Sequence, residues 1–332
     1  MSQTTRIHGG PDALGAPRHD FSTNSNACGP CPQALAAVQA ADATRYPDGS
    51  YTAVRAALAD FYGVEAWRIA LAGSASEFIF RITAWAVRQG ARSVSLPTHA
   101  YGDYAHAAQA WGLPVVADAN ATTLVWACEP SSPLGQAHSP ALASLSGTVV
   151  LDSAYAPLRL EGQPSLGDSQ RQQLWQLFSP NKALGLTGVR AAFAIAPLGA
   201  EAAVQQLDAL APSWVLGAHG AALLMAWTQA DTQAWLQASL HTLAAWKQRQ
   251  TDLLHAAGWT LQASDTPFFC ARPPAGVDAA ALCAALRAQG IKLRDATSFG
   301  LPGWVRLGVL PPVAQDALVA ALRINSHRET TA

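Results

Sequence analysis

The sequence predicts an α/β protein, with a large domain built on a mostly parallel sheet and a second, smaller α+β domain. Between residues 69 and 196, short apolar runs alternate with helical stretches, the pattern of helices packed on a parallel sheet. Residues 201–256 have a helical pattern, and residues 257–325 alternate shorter strand and helix signals. The domains expected are an N-terminal arm with part of the small domain (1–45), the large domain (46–230) and the small C-terminal domain (231–332).

Short apolar runs bounded by turn residues are predicted as strands, and longer amphipathic stretches as helices. The strands expected in the large domain are 69–73, 93–97, 115–118, 123–127, 148–152, 174–179 and 191–196. The helices expected are about 32–43, 51–62, 77–89 and 104–111, with one long helix across 201–256. Ligands of parallel sheets bind beyond the carboxyl ends of the strands, so the candidate site is sought there.

Composition disfavours several classes of protein. The chain has 332 residues, a formal net charge of −1 and 50% hydrophobic residues, so a large core is expected and disorder is not. The balanced charge gives no electrostatic basis for binding nucleic acid or a membrane surface. No apolar targeting segment or membrane-spanning run is visible, and a cytoplasmic protein is expected.

Five cysteines, an odd number, do not have the pattern of a secreted disulfide framework. Cys28 and Cys31 form a Cys-x-x-Cys motif, but the polar, turn-like segment before them is unlike the strand that precedes a redox-active pair. A single pair also supplies only half of a structural zinc site. We therefore expect no metal site and favour no redox chemistry, and the role of the pair is left open.

The segment from Ser179 to Arg190 carries the first chemical signal. A predicted strand ends in a turn with Ser179 and Lys182, and a glycine-containing loop then leads to Arg190. A lysine that forms an imine must be held near a carbonyl in surroundings that lower its pKa. A hydroxyl and a guanidinium nearby suit a phosphate monoester. A surface turn with an ordinary lysine and arginine is the alternative.

Asp152 ends the predicted strand 148–152, which places its carboxylate at the ligand-binding edge of the sheet. The cofactor pyridoxal 5′-phosphate (PLP) needs an anion against its pyridine nitrogen. Asp152 could supply this anion, and Tyr155 could reach the phenolic oxygen of the ring. An aspartate that only caps the next turn is the alternative.

Gly73, Ser74 and Ala75 lie between a predicted strand and a predicted helix. The backbone N–H groups and the helix dipole at such a turn can form an anion site, here for a phosphate. Glu77 follows as an acidic residue in the first helical turn, which fits a phosphate turn and a simple helix cap equally well.

The order of these signals resembles that of the class I and II aminotransferases: a phosphate turn, an aromatic loop, a strand-end aspartate, then Ser-x-x-Lys followed by arginine. Within that family the chain resembles the histidinol-phosphate aminotransferase-like branch, and most of all its threonine-phosphate decarboxylases of cobalamin biosynthesis. The resemblance covers nearly the whole chain. It implies the aspartate-aminotransferase-like fold of fold type I PLP enzymes, PLP bound covalently to Lys182, and a homodimer with shared active sites.

Four segments carry the likeness to the decarboxylases and to their substrate site. Residues 6–10 resemble their His-Gly-Gly start, residues 20–26 their Asp-Phe-Ser-x-Asn stretch, and residues 294–295 an Arg-Asp pair of the same branch. Residues 304–307 resemble the segment whose arginine receives the substrate carboxylate. The substrate-binding residues implied are His8, Asn24 and Arg294 for a phosphate, and Arg306 for the carboxylate.

The resemblance also implies contacts with the cofactor. Tyr46, in the segment 45–48, resembles a tyrosine that reaches the cofactor phosphate of the partner subunit. Residues 97–104 resemble the loop whose first aromatic residue stacks on the PLP ring. Because His99 and the residue after it look inserted, Tyr101 is the expected stacking residue and His99 the second choice.

Two departures from the family pattern affect the cofactor site. Ser131 and Ser132 stand where the family usually has two asparagines between prolines, so the shorter Ser132 is expected near the phenolic oxygen of the ring, with a bridging water. The phosphate turn is also one residue shorter than its commoner form. Neither change removes Asp152, the anion expected to keep the PLP ring able to accept electrons.

The function favoured by this resemblance is PLP-dependent decarboxylation of L-threonine O-3-phosphate to (R)-1-amino-2-propanol O-2-phosphate. An aminotransferase acting on histidinol phosphate or a related amino donor is the alternative within the fold. A non-catalytic binding protein on the same scaffold is the alternative from another class. The intact set of Lys182, Asp152 and Arg190 argues against it.

Overall fold

The strands and helices follow the alternation of the sequence. The computed structural model describes residues 8–117, 123–137, 142 and 147–329, with side chains up to residue 324. The strands are β1 (His19–Asp20), β2 (Ile69–Ala72), β3 (Val94–Ser95), β4 (Leu124–Cys128), β5 (Thr148–Asp152), β6 (Trp175–Phe178), β7 (Ala192–Ile195), β8 (Thr260–Leu261), β9 (Phe268–Arg272), β10 (Ile291–Lys292), β11 (Arg294–Asp295) and β12 (Val305–Gly308). The helices are α1 (Pro32–Gln39), α2 (Thr52–Tyr62), α3 (Ala75–Arg88), α4 (Gly102–Ala110), α5 (Asp168–Arg171), α6 (Glu201–Leu210), α7 (Ala218–Trp227), α8 (Ala230–Ala256), α9 (Ala279–Ala288) and α10 (Pro312–Glu329).

The main sheet has six strands in the order β2-β7-β6-β5-β4-β3. Strands β3 to β6 are parallel neighbours, and β7 runs antiparallel to both β6 and β2. The predicted mostly parallel sheet is confirmed. The strand predicted at 115–118 is wrong in the part that the structure describes, because only Val115 joins the sheet, through a single bridge to Val94. Residue 118 lies outside the described residues.

Helices cover both faces of this sheet, as its unbroken apolar strands require. Alternate side chains of β2 enter opposite clusters: Ile69 and Leu71 pack with α1, α2, α7 and α8, whereas Ala70 and Ala72 pack with α3, α4 and α6. The two clusters bury both faces of the sheet. Polar side chains at the strand ends therefore lie at its carboxyl edge, where they line a cavity.

The single long helix expected across 201–256 is wrong, because the chain forms three helices there. Helix α6 ends at Leu210, and the next residue, Ala211, has the extended backbone (ψ 146°) that a following proline, here Pro212, favours. An extended Gly217 precedes α7, and an extended Gln229 separates α7 from α8. Helix α8 alone, with 27 residues, runs toward the C-terminal part. Within the described ranges, no helix is long and apolar enough to cross a bilayer.

A smaller antiparallel sheet of order β11-β12-β9-β8 packs against α9 and α10. The N-terminal arm joins this region, because β1 pairs in parallel with β10 and Phe21 is fully buried in the same apolar cluster. The boundaries proposed at residues 45 and 230 remain a prediction.

The N-terminal arm also holds the loop that carries Lys182. The backbone N–H of Asn26 donates to the carbonyl of Lys182 at 2.9 Å, and its side-chain amide donates to the carbonyl of Ala183 at 3.0 Å. Gly29 lies so close to this loop that a Cβ there would be 2.9 Å from the Cα of Gly185. The Cys-x-x-Cys segment, whose two thiols are free, is therefore part of this close contact.

Candidate active site

The carboxyl ends of β4, β5 and β6 and the turn after β2 meet at one cavity, here called the central cavity. The predicted residues that line it are Asn24, Ser74, Ala75, Tyr101, Ser132, Asp152, Tyr155, Ser179, Lys182, Arg190 and Arg306. An adjoining outer cavity shares Tyr101, Ser132, Tyr155 and Arg306 with it and adds His8, His106, Arg294, Ser298 and Phe299. Gly73 and Tyr46 line neither cavity.

Lys182 lies in the turn after β6, and its Nζ donates a hydrogen bond to Ser179 Oγ at 2.8 Å. Burial lowers the pKa of Lys182 from its ordinary value, Asp152 opposes this shift, and the charge of Arg190 adds to it. A lower pKa increases the fraction of neutral amine, which is the nucleophilic form. The geometry therefore suits the imine-forming role predicted for this lysine.

Asp152 is a buried carboxylate at the end of β5. Its Oδ2 accepts a hydrogen bond from the Tyr104 hydroxyl at 2.7 Å, and its Oδ1 accepts one from the backbone N–H of Ala154 at 3.0 Å. Burial raises the pKa of Asp152, whereas the Tyr104 hydrogen bond and the charge of Lys182 lower it. The donors around Asp152 thus offset part of the cost of burying a negative charge.

Tyr104 is a functional neighbour that the sequence analysis missed. It is fully buried on α4, and its ring stacks on Trp126 of β4 with centroids 4.5 Å apart and planes inclined by 12°. Its position three residues after Tyr101 puts both rings on the same helical face, where they meet edge to face at 5.8 Å. The three-residue spacing could have predicted that Tyr104 lies beside Tyr101. It could not have predicted the contact with Asp152, which is 48 positions away in the sequence.

The structure places Tyr101 and His99 at different sites. Tyr101 lines the central cavity, and its hydroxyl lies 3.2 Å from the Ser76 Oγ. His99 is turned away, with its Nδ1 2.7 Å from the carbonyl oxygen of Phe299. Of the two candidates for stacking on a cofactor ring, only Tyr101 lies in the wall of the cavity.

The turn after β2 presents hydroxyl groups to the central cavity, but the backbone N–H of Gly73 is used elsewhere. Ser74 caps α3 by accepting a hydrogen bond from the Glu77 backbone N–H at 3.0 Å. The backbone N–H of Gly73 donates to Glu77 Oε2 at 3.2 Å, so in this arrangement it serves the helix cap. Ser76 and Thr187, which the sequence analysis did not select, line the cavity with Ser74.

Tyr155 and Ser132 stand between the two cavities and line both. The Tyr155 ring packs edge to face on Phe268, and the Lys182 Nζ lies 5.7 Å from its centroid. Burial raises the pKa of Tyr155 to about 12, an effect that the charge of Arg306 opposes. Its hydroxyl therefore remains a hydrogen-bond donor at neutral pH.

The predicted substrate residues divide between the two cavities. Asn24 lines the central cavity, where its side-chain amide lowers the pKa of the neighbouring Tyr155 hydroxyl. Arg294 lines the outer cavity, where its Nη2 donates to Ser298 Oγ at 2.7 Å. Arg306 lines both, and its Nη2 donates to the Ser22 carbonyl at 2.8 Å. His8 also lines the outer cavity, while Arg6 lies outside the described residues.

Tyr46 lies on the surface, away from the cavities of its own chain. Three-quarters of it is exposed, and its ring stacks on the partly exposed Trp214 at a centroid distance of 4.2 Å. The Trp214 indole N–H donates to the carbonyl of Pro47 at 3.1 Å, which fixes the loop around Tyr46. Tyr46 therefore lines neither the central nor the outer cavity of its own chain.

The sequence profile of the aminotransferase class I and II family matches residues 18–322. The chain belongs to this family. An aromatic amino acid aminotransferase of Rhodococcus opacus is 31% identical, over 90% of this chain and 88% of the relative. A histidinol-phosphate aminotransferase of Roseobacter denitrificans is 28% identical, over 86% of this chain and 85% of the relative.

Two solved structures share the fold at lower identity. Histidinol-phosphate aminotransferase from Sinorhizobium meliloti, in complex with PLP, superimposes with a TM-score of 0.79 at 22% identity, over 96% of this chain and 95% of that one. L-threonine-O-3-phosphate decarboxylase from Porphyromonas gingivalis gives 0.78 at 21% identity, over 92% and 99%. These comparisons confirm the predicted fold type and the cofactor, and they place the chain in a family of PLP-dependent enzymes.

The residues of the central cavity fit PLP. Among the described residues the hydrogen-bond donors to the buried Asp152 are neutral, so a protonated ring nitrogen would supply the opposite charge that a buried carboxylate requires. Ser74, Ser179 and Arg190 offer two hydroxyls and a guanidinium, which suit a phosphate group. Lys182 provides the amine for covalent attachment.

Borohydride reduction of the yellow holoenzyme should attach the cofactor permanently to Lys182, because this amine lies in the cavity with a lowered pKa. Peptide mapping checks the position. The Lys182→Ala variant should lose turnover by several orders of magnitude and remain unlabelled. A label on Lys247 or Lys292 in the wild-type protein would contradict the assignment.

Tyr104→Phe should weaken retention of the cofactor, because it removes the hydroxyl that lowers the pKa of Asp152. The carboxyl would then become neutral at a higher pH, so cofactor would be lost at a higher pH as the solution is acidified. A hydrogen bond to a charged group contributes about 1.5–3 kcal/mol, so an affinity loss of about tenfold to 100-fold is expected.

Equilibrium dialysis across the neutral pH range measures this effect. Tyr62→Phe is the matched control, since Tyr62 has a buried hydroxyl that accepts from Trp227 outside both cavities. Equal cofactor retention by the two variants at every pH would show that Tyr104 does not act through Asp152.

Proposed function

We propose that this enzyme decarboxylates L-threonine O-3-phosphate to (R)-1-amino-2-propanol O-2-phosphate, as a step of cobalamin biosynthesis. The observation that supports it is a pair of guanidinium groups beside one ring. The Cζ atoms of Arg294 and Arg306 lie 4.8 Å and 5.4 Å from the centroid of Phe299. Burial and the charge of Arg306 lower the pKa of Arg294 to about 10. A substrate with both a carboxylate and a phosphate would relieve this repulsion.

Arg306 is suited to the carboxylate. One of its terminal nitrogens is bound to the Ser22 carbonyl, and its Nε is buried without a hydrogen-bond partner among the described residues. Buried donors without partners are uncommon in folded proteins, so a ligand group is expected to complete this one. Arg294, His8 and Asn24 would then receive the phosphate.

The reaction breaks the bond between Cα and the carboxylate, releases carbon dioxide and adds a proton to Cα. When bound, PLP supplies a ring that accepts the electron pair of the broken bond. Lys182 Nζ, held by Ser179 at 2.8 Å, is placed to return the proton. Arg306 would fix the direction of the carboxylate and hence which bond to Cα lies perpendicular to the ring.

An aminotransferase that acts on histidinol phosphate or a related amino donor is the second candidate. The similarity of the chain to curated aminotransferases favours it. Two guanidinium groups also suit a dicarboxylic amino donor or acceptor. The two reactions differ in whether Cα loses carbon dioxide or a proton, which is set by the orientation of the bound substrate.

Product analysis with L-threonine O-3-phosphate tests the proposal. Equal amounts of carbon dioxide and aminopropanol phosphate, formed without any keto acid, are expected. Unphosphorylated L-threonine should be used far less well, since it lacks the phosphate that the outer cavity is proposed to bind. Conversion of histidinol phosphate with 2-oxoglutarate, with phosphothreonine unchanged, would establish the aminotransferase instead.

We further propose that the enzyme is a homodimer in which Tyr46 contacts the cofactor phosphate of the partner subunit. Tyr46→Phe should then weaken cofactor retention by about tenfold to 100-fold, the effect of one hydrogen bond to a charged group. Light scattering at micromolar concentration should give the mass of two chains.

Heterodimers separate a contact in trans from one in cis. A dimer of wild-type chain with a chain carrying both Tyr46→Phe and Lys182→Ala should retain cofactor poorly at its one intact lysine. A dimer of the two single variants should retain it normally there. The reverse ranking would place Tyr46 in its own chain's site.

A further inference from the structure

We infer that His106 binds the phosphate of the substrate, with Asp103 as its carboxylate partner, and so helps the enzyme to select phosphorylated substrates. This inference rests on the proposed phosphorylated substrate and adds a residue to that site. Neither the sequence motifs nor the family likeness singled out His106.

Helix α4 places His106 in the wall of the outer cavity. Tyr101 immediately precedes the helix and Tyr104 lies in its first turn, and both line the central cavity. His106 follows on a neighbouring face and lines the outer cavity, with 21% of its side chain exposed. Gly102 lies beneath its ring, since a Cβ there would be 3.8 Å from His106 Cε1.

The polar environment of His106 is incomplete among the described residues. Its Nδ1 is buried without a hydrogen-bond partner and lies 3.6 Å from the Oδ1 of Asp103, beyond hydrogen-bond distance. A histidine with a purely structural role is expected to have its buried nitrogen satisfied. With Asp103 facing Nδ1, Nε2 is the nitrogen left for a ligand in the outer cavity.

The chemistry of the outer cavity indicates what that ligand is. Its lining includes Arg294, Arg306, His8 and His106, and no carboxylate belongs to the described lining residues. Arg306 suits the substrate carboxylate, and Arg294 is already bonded to Ser298 Oγ and to the carbonyl of Asp295. A phosphate dianion accepts several hydrogen bonds, and His106 lies in the same cavity as Arg294 and His8 with a nitrogen to donate.

Binding can be measured without turnover in the Lys182→Ala background, loaded with cofactor. Calorimetry would give dissociation constants for L-threonine O-3-phosphate and for L-threonine in Lys182→Ala alone and combined with His106→Ala. We expect His106→Ala to weaken binding of the phosphorylated ligand by about tenfold to 100-fold, the effect of one charge-assisted hydrogen bond, and to leave L-threonine within about twofold. Asp103→Asn should give a smaller loss of the same selectivity.

His106→Gln, which keeps a hydrogen-bond donor, should recover part of the affinity for the phosphorylated ligand. His241→Ala, on the exposed side of α8, is the matched control and should change neither constant. Steady-state kinetics of His106→Ala should show a raised KM with kcat nearly unchanged.

The outcomes distinguish this inference from the proposed function. Equal losses for both ligands, or no loss for either, would overturn the role of His106. A selective loss of phosphothreonine binding, in an enzyme that releases no carbon dioxide from it, would support the role of His106 and refute the decarboxylase.

Discussion

A carboxylate buried at the end of a central strand is the constraint on which the site depends. Asp152 is held in an apolar sheet, where a negative charge is costly, and it is stabilised by one hydroxyl, one backbone N–H and the nearby charge of Lys182. Each of these donors has a fixed position because it belongs to a packed element. Tyr104 lies on α4 and stacks on Trp126 of the neighbouring strand. The core of the large domain and the electrostatics of the site are therefore coupled.

The loop that carries Lys182 is likewise held in place by a packed segment. A lysine with a lowered pKa must be kept away from bulk water, and the N-terminal arm holds its loop through Asn26 and the close approach of Gly29 to Gly185. The arm then continues into the smaller sheet region through the pairing of β1 with β10. One segment thus connects the lysine, the central cavity and the region that contributes Arg294 and Arg306.

The central cavity holds the residues that fit the cofactor, and the outer cavity holds those proposed to bind the anionic groups of the substrate. Asp152, Lys182 and the hydroxyl-rich turn are the groups that PLP requires, and they come from the carboxyl ends of adjacent strands. The outer cavity instead gathers arginines and histidines from the arm, from α4 and from the smaller sheet region. Differences in substrate among members of this fold can therefore arise in the outer cavity while the cofactor chemistry stays the same.

The sequence by itself determined the strand 148–152 with its terminal aspartate, the Ser-x-x-Lys turn and the cofactor. Each follows from the residue types and their order along the chain, without knowledge of which elements pack together. Only the tertiary structure showed that Tyr101 lines the cavity while His99 contacts Phe299, that the N–H of Gly73 donates to Glu77, and that the region 201–256 forms three helices. It alone brought Tyr104 to Asp152, 48 positions away. These outcomes depend on which faces pack together, and periodicity shows that a face is apolar without showing its partner.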